Sequence, residues 1–107
     1  MAAYFTRTGG SPVFIPSPVK LISSNYSVQN TDFYIGCNGV GITVTLPIGS
    51  SVNPGQSFVI KDESGNARVN TIQVTGSNTI DGSSSVTLNQ NYISLTFLWT
   101  GALWSIV

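Results

Sequence analysis

The sequence predicts an all-β protein: a compact antiparallel β-sandwich or barrel-like module preceded by an extended N-terminal arm. Apolar and hydroxyl side chains alternate in several short stretches, most clearly from Ile42 to Leu46. Turn-forming residues separate these stretches at intervals of about 8–12 residues, which is typical of sandwiches and barrels. Glycine and proline interrupt residues 1–24 repeatedly. A three-sided β-prism formed by three chains is the alternative architecture.

Residues 1–24 form the predicted arm. Three prolines, at positions 12, 16 and 18, favour an extended, polyproline-like backbone with few internal hydrogen bonds. The segment is nevertheless too apolar for an ordinary solvated tail. We interpret it as an arm that lies on a partner, with a frayed tail or an arm folded onto its own domain as alternatives. The side chains expected to contact the partner are Tyr4, Phe5, Arg7, Val13, Phe14 and Ile15.

Residues 25–107 form the predicted β module. Pro47 ends the strand after Leu46 because proline lacks the N–H that the next ladder position requires. The dipeptides Asn38-Gly39 and Asp81-Gly82 are strong turn signals, and the last two strands are predicted to form a closing hairpin. The predicted strands lie near residues 26–28, 33–37, 42–46, 57–61, 71–75, 86–88, 93–99 and 103–107.

The composition excludes several function classes. Only 7% of the residues are charged, against a typical value of about 25%, and the formal net charge is zero. This neutrality disfavours nucleic acid and anionic membranes as partners, and it favours assembly with other protein surfaces. The chain has one cysteine and no histidine, so it lacks the usual general base, zinc ligand and serine triad.

Candidate chemical sites are weak. A hard cation could be bound by carboxylate and amide oxygens, but the D-x-D-x-D-G loop is absent. Asp32 or Glu63 could pair with Asp81 for glycoside hydrolysis, yet the whole chain has only four carboxylate side chains. We therefore predict no metal, no cofactor and no enzymatic activity. The residues considered for the cation are Asp62, Glu63, Asn66 and Asp81.

Aromatic side chains near the end of the chain have two interpretations. They could form a platform on which sugars stack, or they could be core residues. Alternation along strands favours the core. Cys37 follows Gly36 in an apolar stretch, which favours a buried, inert thiol. The aromatic residues in question are Tyr92, Phe97, Trp99 and Trp104.

Several short motifs resemble a β module found in tailed-bacteriophage virion proteins. They are Tyr26-Ser27-Val28, the T-V-T-L-P strand at 43–47, the I-K-D-x-S-G turn at 60–65 and the I-D-G turn at 80–82. The resemblance covers about residues 26–107. It implies no catalytic residues, and it implies a structural role for the turn residues Asp62, Gly65, Asp81 and Gly82.

The resemblance implies a structural role in a virion, in capsid decoration, head-fibre or tail-fibre proteins that are commonly trimers. A receptor-binding module usually follows an attachment domain and a shaft, whereas this chain reads as an arm and one module. We therefore expect a trimeric capsid decoration protein, made in the host cytoplasm, whose arm binds the major capsid protein on the virion surface. The alternatives are a receptor- or glycan-binding tail-fibre module and a minor tail or adaptor protein.

Overall fold

The computed structural model describes residues 3–6 and 12–107, with side chains from residue 15 onward. Eleven strands and one short 3-10 turn, Gly49–Ser51, form the described part of the chain. The strands are β1 (Ala3–Thr6), β2 (Pro12–Ile15), β3 (Val19–Ile22), β4 (Tyr26–Ser27), β5 (Tyr34–Cys37), β6 (Thr43–Thr45), β7 (Ser57–Asp62), β8 (Ile72–Ile80), β9 (Ser83–Leu88), β10 (Ser94–Trp99) and β11 (Trp104–Ile106).

The chain winds between two rows of parallel strands. Strands β3, β5 and β7 form the first row, in which Leu21 lies opposite Gly36 and Gly36 opposite Lys61. Strands β4, β6 and β8 form the second row, in which Val44 lies between Tyr26 and Val74. Because each strand of the first row is followed by one of the second, residues 19–80 make a short solenoid of three coils.

The β10–β11 hairpin joins the two rows. Strand β10 pairs antiparallel with β7, and β11 pairs antiparallel with β10 and parallel with β8, where Trp104 lies opposite Ile80. A single path of hydrogen-bonded strands therefore runs from β3 to β4 and curls into a nearly closed barrel, with β9 paired to β8 beside it. The prediction of an all-β, barrel-like module is confirmed.

The pairing is mixed, however, and the antiparallel part of that prediction is wrong for both rows. Parallel neighbours need a crossover connection, which is usually a helix, and the sequence contains no helical pattern. Here the crossover is a strand of the opposite row. The Asn38-Gly39 turn consequently joins β5 to β6, which do not pair with each other.

The N-terminal region divides between two sheets. Strands β1 and β2 pair antiparallel, with Ala3 opposite Ile15, and form a two-stranded sheet of their own. Strand β3, by contrast, is the edge strand of the large sheet, although it lies inside the segment predicted as an arm. The folded module thus begins at Val19 and not at residue 25.

The core follows from alternation along the strands. In β7, Phe58, Ile60 and Asp62 are buried and the residues between them are only partly buried. A bulge between Thr75 and Ile80 interrupts the pairing of β8 with β9. Bulges bend strands, which helps β8 to reach both β6 and β11. The buried apolar side chains are Ile22, Val28, Ile35, Cys37, Ile42, Val44, Leu46, Val52, Phe58, Ile60, Ala67, Ile72, Val74, Ile80, Leu88, Phe97, Trp99 and Trp104.

Candidate interaction surface

The outer side of β3 exposes two large apolar side chains. Val19 is 67% exposed and Leu21 is 69% exposed. Both point away from the core, because Ile22 is the buried residue of this strand and neighbouring side chains alternate. Among the strands that the structure describes, β3 pairs only with β5, so no described strand covers its other edge. Apolar residues on an open edge strand form a surface suited to protein contact.

Because Gly36 has no side chain, the neighbouring side chains of this surface can pack over its backbone. A Cβ atom at Gly36 would lie 2.8 Å from Leu21 Cδ2 and 2.8 Å from Glu63 Cγ. The hydroxyl of Tyr34, on the same strand, donates a hydrogen bond to the Glu63 carboxylate. Burial, together with the negatively charged Glu63, raises the pKa of Tyr34 to about 12. We call the outward residues Val19, Leu21, Tyr34 and Glu63 the β3 surface.

The predicted arm residues are only partly within the described structure. Ile15 ends β2 and is 48% exposed. The side chains of Tyr4, Phe5, Val13 and Phe14 lie outside the described residues, as does the whole of Arg7. Ile15 precedes the β3 surface by only the Pro16–Pro18 segment.

Asp62 is a buried carboxylate that organises two loops. Its Oδ1 accepts hydrogen bonds from the backbone N–H and the hydroxyl of Ser64, at 3.0 and 2.6 Å. Its Oδ2 accepts from the N–H groups of Ala67 and Tyr92, both at 3.0 Å. Burial acts to raise the pKa of Asp62, but the hydrogen bonds from Ser64, Tyr92 and Ala67 outweigh it and hold the pKa below its usual value.

Tyr92 is held in an uncommon conformation by three contacts. Its φ is +62°, a region that bulky side chains rarely adopt. The N–H binds Asp62, while the carbonyl accepts a 2.7 Å hydrogen bond from Lys61 Nζ. The ring lies against Gly65, where a Cβ atom would come within 2.5 Å of the tyrosine Cζ. Lys61 Nζ also lies 5.6 Å from the ring centroid, a cation–π distance.

The two loops that meet at Tyr92 carry several amide side chains. Arg68 donates its backbone N–H to Asn91 Oδ1 at 3.0 Å, which ties the loop after β7 to the loop before β10. Asn66 and Gln90 are exposed, and their side-chain amides make no hydrogen bond to another described residue. We call the set Lys61, Gly65, Asn66, Gln90, Asn91 and Tyr92 the Tyr92 corner.

The other turn residues lie elsewhere. Asp81 and Gly82, with φ of +48° and +82°, form the two-residue turn between β8 and β9. Asp81 Oδ1 accepts a 3.3 Å hydrogen bond from the Ile106 N–H, and Asp32 Oδ2 accepts one of 2.6 Å from the Tyr26 hydroxyl. Within residues 15–107 no three Asp, Glu, Cys or His side chains come together as a metal-binding set, and no pocket opens.

Three of the four aromatic candidates are core residues. Phe97, Trp99 and Trp104 are buried, and the indole of Trp104 packs against Trp99 and Phe58 with centroid distances of 5.2 and 5.8 Å. Tyr92 differs from them because its side chain is 59% exposed. Cys37 is buried, as predicted. An aromatic platform built from all four residues is therefore not formed.

Two comparisons with known proteins found no match. No protein-family model matches this chain, and no curated protein does. The resemblance to bacteriophage modules therefore remains a prediction from short motifs. In the part of the chain that the structure describes, no helix has the length and apolar character needed to span a membrane.

Two features of these surfaces have no clear signal in the sequence. Val19 and Leu21 alternate with Lys20, a strand pattern that the surrounding prolines concealed. The positive φ of Tyr92 has no local sequence signal, because tyrosine favours the β region. It arises from contacts with Asp62 and Lys61, which are 30 and 31 residues away in sequence.

Proposed function

We propose that this chain is a structural protein of a bacteriophage virion, a decoration protein that binds the major capsid protein through its N-terminal arm and the adjoining β3 surface. One observation supports this most directly. Val19 and Leu21 are exposed on an edge strand that lies within the predicted arm and pairs with the module. The apolar residues of the arm and of β3 thus form one continuous stretch of sequence.

Burial of these apolar side chains can supply enough free energy for the proposed binding to the capsid. Fully burying one valine or leucine side chain contributes about 1.5–3 kcal/mol. Two such residues, together with the apolar arm, would give a modest affinity for one copy. A trimer, the expected assembly, would multiply these contacts and raise the overall avidity without stronger individual contacts. The module itself contributes rigidity, because its loops are fixed by Asp62.

Capsid shells assembled from the major capsid protein, the proposed partner, provide the test. We expect a variant lacking residues 1–15, which retains Pro16–Pro18 and β3, to stay folded and to lose binding in co-sedimentation. The full-length double variant Val19→Ser, Leu21→Ser should bind at least ten-fold more weakly. Its matched control is Val69→Ser, because Val69 is 83% exposed but lies in the loop after β7.

Two outcomes would contradict the proposal. If the variant lacking residues 1–15 still occupied the shells fully, the arm would not be required for capsid binding. If the β3 double variant and Val69→Ser weakened shell binding equally, the β3 surface would not be the contact with the capsid. Counting copies in purified virions separates a decoration protein, present in hundreds of copies, from the tail-fibre and adaptor alternatives.

A further inference from the structure

The Asn38-Gly39 dipeptide joins β5 to β6 and is not part of the proposed capsid contact. Asn38 is exposed and lies outside the strands. Its side-chain amide makes no hydrogen bond to another described residue, and neither does the N–H of Gly39. The side-chain carbonyl carbon of an asparagine and the next peptide nitrogen are the two partners of a well-defined rearrangement, and here both groups are free to react.

The rearrangement is deamidation through a cyclic imide. The Gly39 nitrogen, after losing its proton to solvent, attacks Cγ of Asn38. The new N–Cγ bond forms, the Cγ–Nδ2 bond breaks, and the departing nitrogen takes a proton from solvent and leaves as ammonia. Water then opens the succinimide ring at either carbonyl, which gives aspartate or isoaspartate at position 38. Water is consumed and ammonia released, with no oxidation. Glycine permits this attack best, because it has no Cβ atom to obstruct the nitrogen.

The other asparagines lack this combination. Asn38 is the only asparagine in the sequence that precedes glycine. Asn66 offers the most useful comparison, because it is exposed and its side chain is also without a hydrogen bond to another described residue. The next N–H, that of Ala67, is however buried and donates a 3.0 Å hydrogen bond to Asp62. A nitrogen held in this way must give up its hydrogen bond before it can attack.

The fold requires glycine at position 39. A Cβ atom there would lie 2.4 Å from the carbonyl oxygen of Ser23, so the loop after β5 passes close to the residue that follows β3. The N–H of Asn38 donates a 2.8 Å hydrogen bond to the carbonyl of Ile22, next to the last pair of the β3–β5 ladder, Ile22 opposite Cys37. A change in the backbone between Asn38 and Gly39 therefore acts on the end of β3.

We propose that Asn38 is a site of spontaneous deamidation, and that its isoaspartate product loosens the end of β3 from β5. Isoaspartate routes the main chain through Cβ and Cγ, which lengthens the backbone before Gly39. The product is also negatively charged, whereas the unmodified chain has a formal net charge of zero. Glu63 lies beside this position, because its N–H donates a 2.9 Å hydrogen bond to the Cys37 carbonyl, so the new charge meets a like charge. The proposal does not depend on the proposed function.

Ageing of the full chain tests the chemistry. Purified protein is incubated at pH 8, folded or in guanidinium chloride, and position 38 is followed by peptide mass spectrometry, with isoaspartate measured by enzymatic methylation. We expect the folded chain to convert at no less than about a tenth of the denatured rate, because an exposed nitrogen without a hydrogen bond reacts without unfolding. Asn66, compared with its own denatured rate, should be slowed by more than about ten-fold.

Three variants and forms isolate the effect on β3. Amide hydrogen exchange in residues 19–22 should be about ten-fold faster, or more, in the isoaspartate form than in fresh protein. Incubated Asn38→Gln should show no such increase, because its longer side chain forms the cyclic imide far more slowly. Freshly purified Asn38→Asp carries the charge without the longer backbone, so its increase should be smaller.

Three results would overturn the proposal. The first is an intact position 38 in the folded chain under conditions that convert the denatured chain. The second is equal slowing of position 38 and of Asn66 relative to the denatured chain. The third is unchanged exchange of residues 19–22 in the isoaspartate form, which would refute the effect on β3. None of these measurements uses capsid shells, so failure of the capsid proposal would leave them unaffected.

Discussion

The backbone N–H of Tyr92 donates a 3.0 Å hydrogen bond to Oδ2 of Asp62, which lies 30 residues earlier in the chain. The same oxygen accepts from Ala67, so one buried carboxylate fixes the loop after β7 and the loop before β10. A buried charge is tolerated when donors surround it, and four donors do so here. The residue that stabilises the module therefore also positions the exposed Tyr92.

Asp62→Asn should destabilise the protein strongly. The new Nδ2 atom would face N–H donors, so at least one of the N–H groups of Ala67, Tyr92 or Ser64 would lose its acceptor. We expect a loss of about 2–4 kcal/mol in the free energy of unfolding, measured by urea denaturation at pH 7. Asp81→Asn is the control, because Asp81 is exposed and accepts one long hydrogen bond. Equal losses in both variants would refute this role for Asp62.

Acid should remove the contribution of Asp62. Its pKa is lowered in the folded state, so the unfolded chain binds the proton first as the pH falls. The stabilisation is present above the unfolded pKa of about 3.9 and is lost as the pH falls through the lower folded value. The stability difference between wild type and Asp62→Asn should therefore shrink below about pH 4. A constant difference down to about pH 2 would contradict the shift.

Gly65→Ala should disturb Tyr92 specifically. Gly65 and Gly41 have similar φ values of +74° and +66°, but only at Gly65 would a Cβ atom meet neighbouring atoms, those of the Tyr92 ring. Gly41→Ala should cost about 1–2 kcal/mol from backbone strain alone. Gly65→Ala should cost about 1 kcal/mol more because it displaces the ring. In a Tyr92→Gly background, Gly41→Ala and Gly65→Ala should lower the free energy of unfolding by the same amount. A difference that persisted in this background would exclude the ring contact as its cause.

Alkaline unfolding should depend on two tyrosines. Burial, with hydrogen bonds to Asp32 and Glu63 respectively, raises the pKa values of Tyr26 and Tyr34 from 10.0 to about 12. The folded state favours the neutral phenols. The stability that they contribute to the protein is therefore complete below the pKa of tyrosine in the unfolded chain, and it is lost as the pH rises through the higher pKa of the folded state. We expect stability to fall between pH 10 and 12. The double variant Tyr26→Phe, Tyr34→Phe should show a smaller fall, and an identical profile would contradict the assignment.

Cys37 should report global unfolding. Burial, together with the negative charges of Asp62 and Glu63, raises the pKa of its thiol to about 12. Both effects suppress the reactive thiolate. The thiol should resist Ellman's reagent at pH 8 and react when urea unfolds the module, with the same midpoint as tryptophan fluorescence. Rapid reaction in the absence of denaturant would show that the β5 region opens locally.

The sequence allowed the strands to be predicted better than their partners. Alternation around Val44 and in the stretch before Trp99 identifies strands locally, and Asp81-Gly82 marks a tight turn by its chemistry. The alternation of consecutive strands between two rows was not predictable, because side-chain periodicity does not indicate which strands are neighbours in the sheet. The same limit hid β3, whose place beside β5 is set by pairing with residues 15 positions later.

The surfaces were harder to predict than the fold. Asp62 was identified as a turn residue from its motif, but one of its hydrogen bonds comes from Tyr92, which a local motif cannot include. The exposure of Val19 was unpredictable for a related reason: a valine in a strand is usually buried, whereas here it lies on the outer face of an edge strand. Features that depend on contacts distant in sequence are therefore those that the sequence alone does not reveal.

The joining of the two rows by β10 and β11 has a consequence for synthesis. Until residues 94–107 have left the ribosome, the barrel is incomplete: β7 lacks its second neighbour, and the indoles of Trp99 and Trp104 are missing from the interior. Such an intermediate exposes unpaired strand edges, through which it can aggregate with other nascent chains. Premature stop codons before Ser94 should therefore yield insoluble fragments.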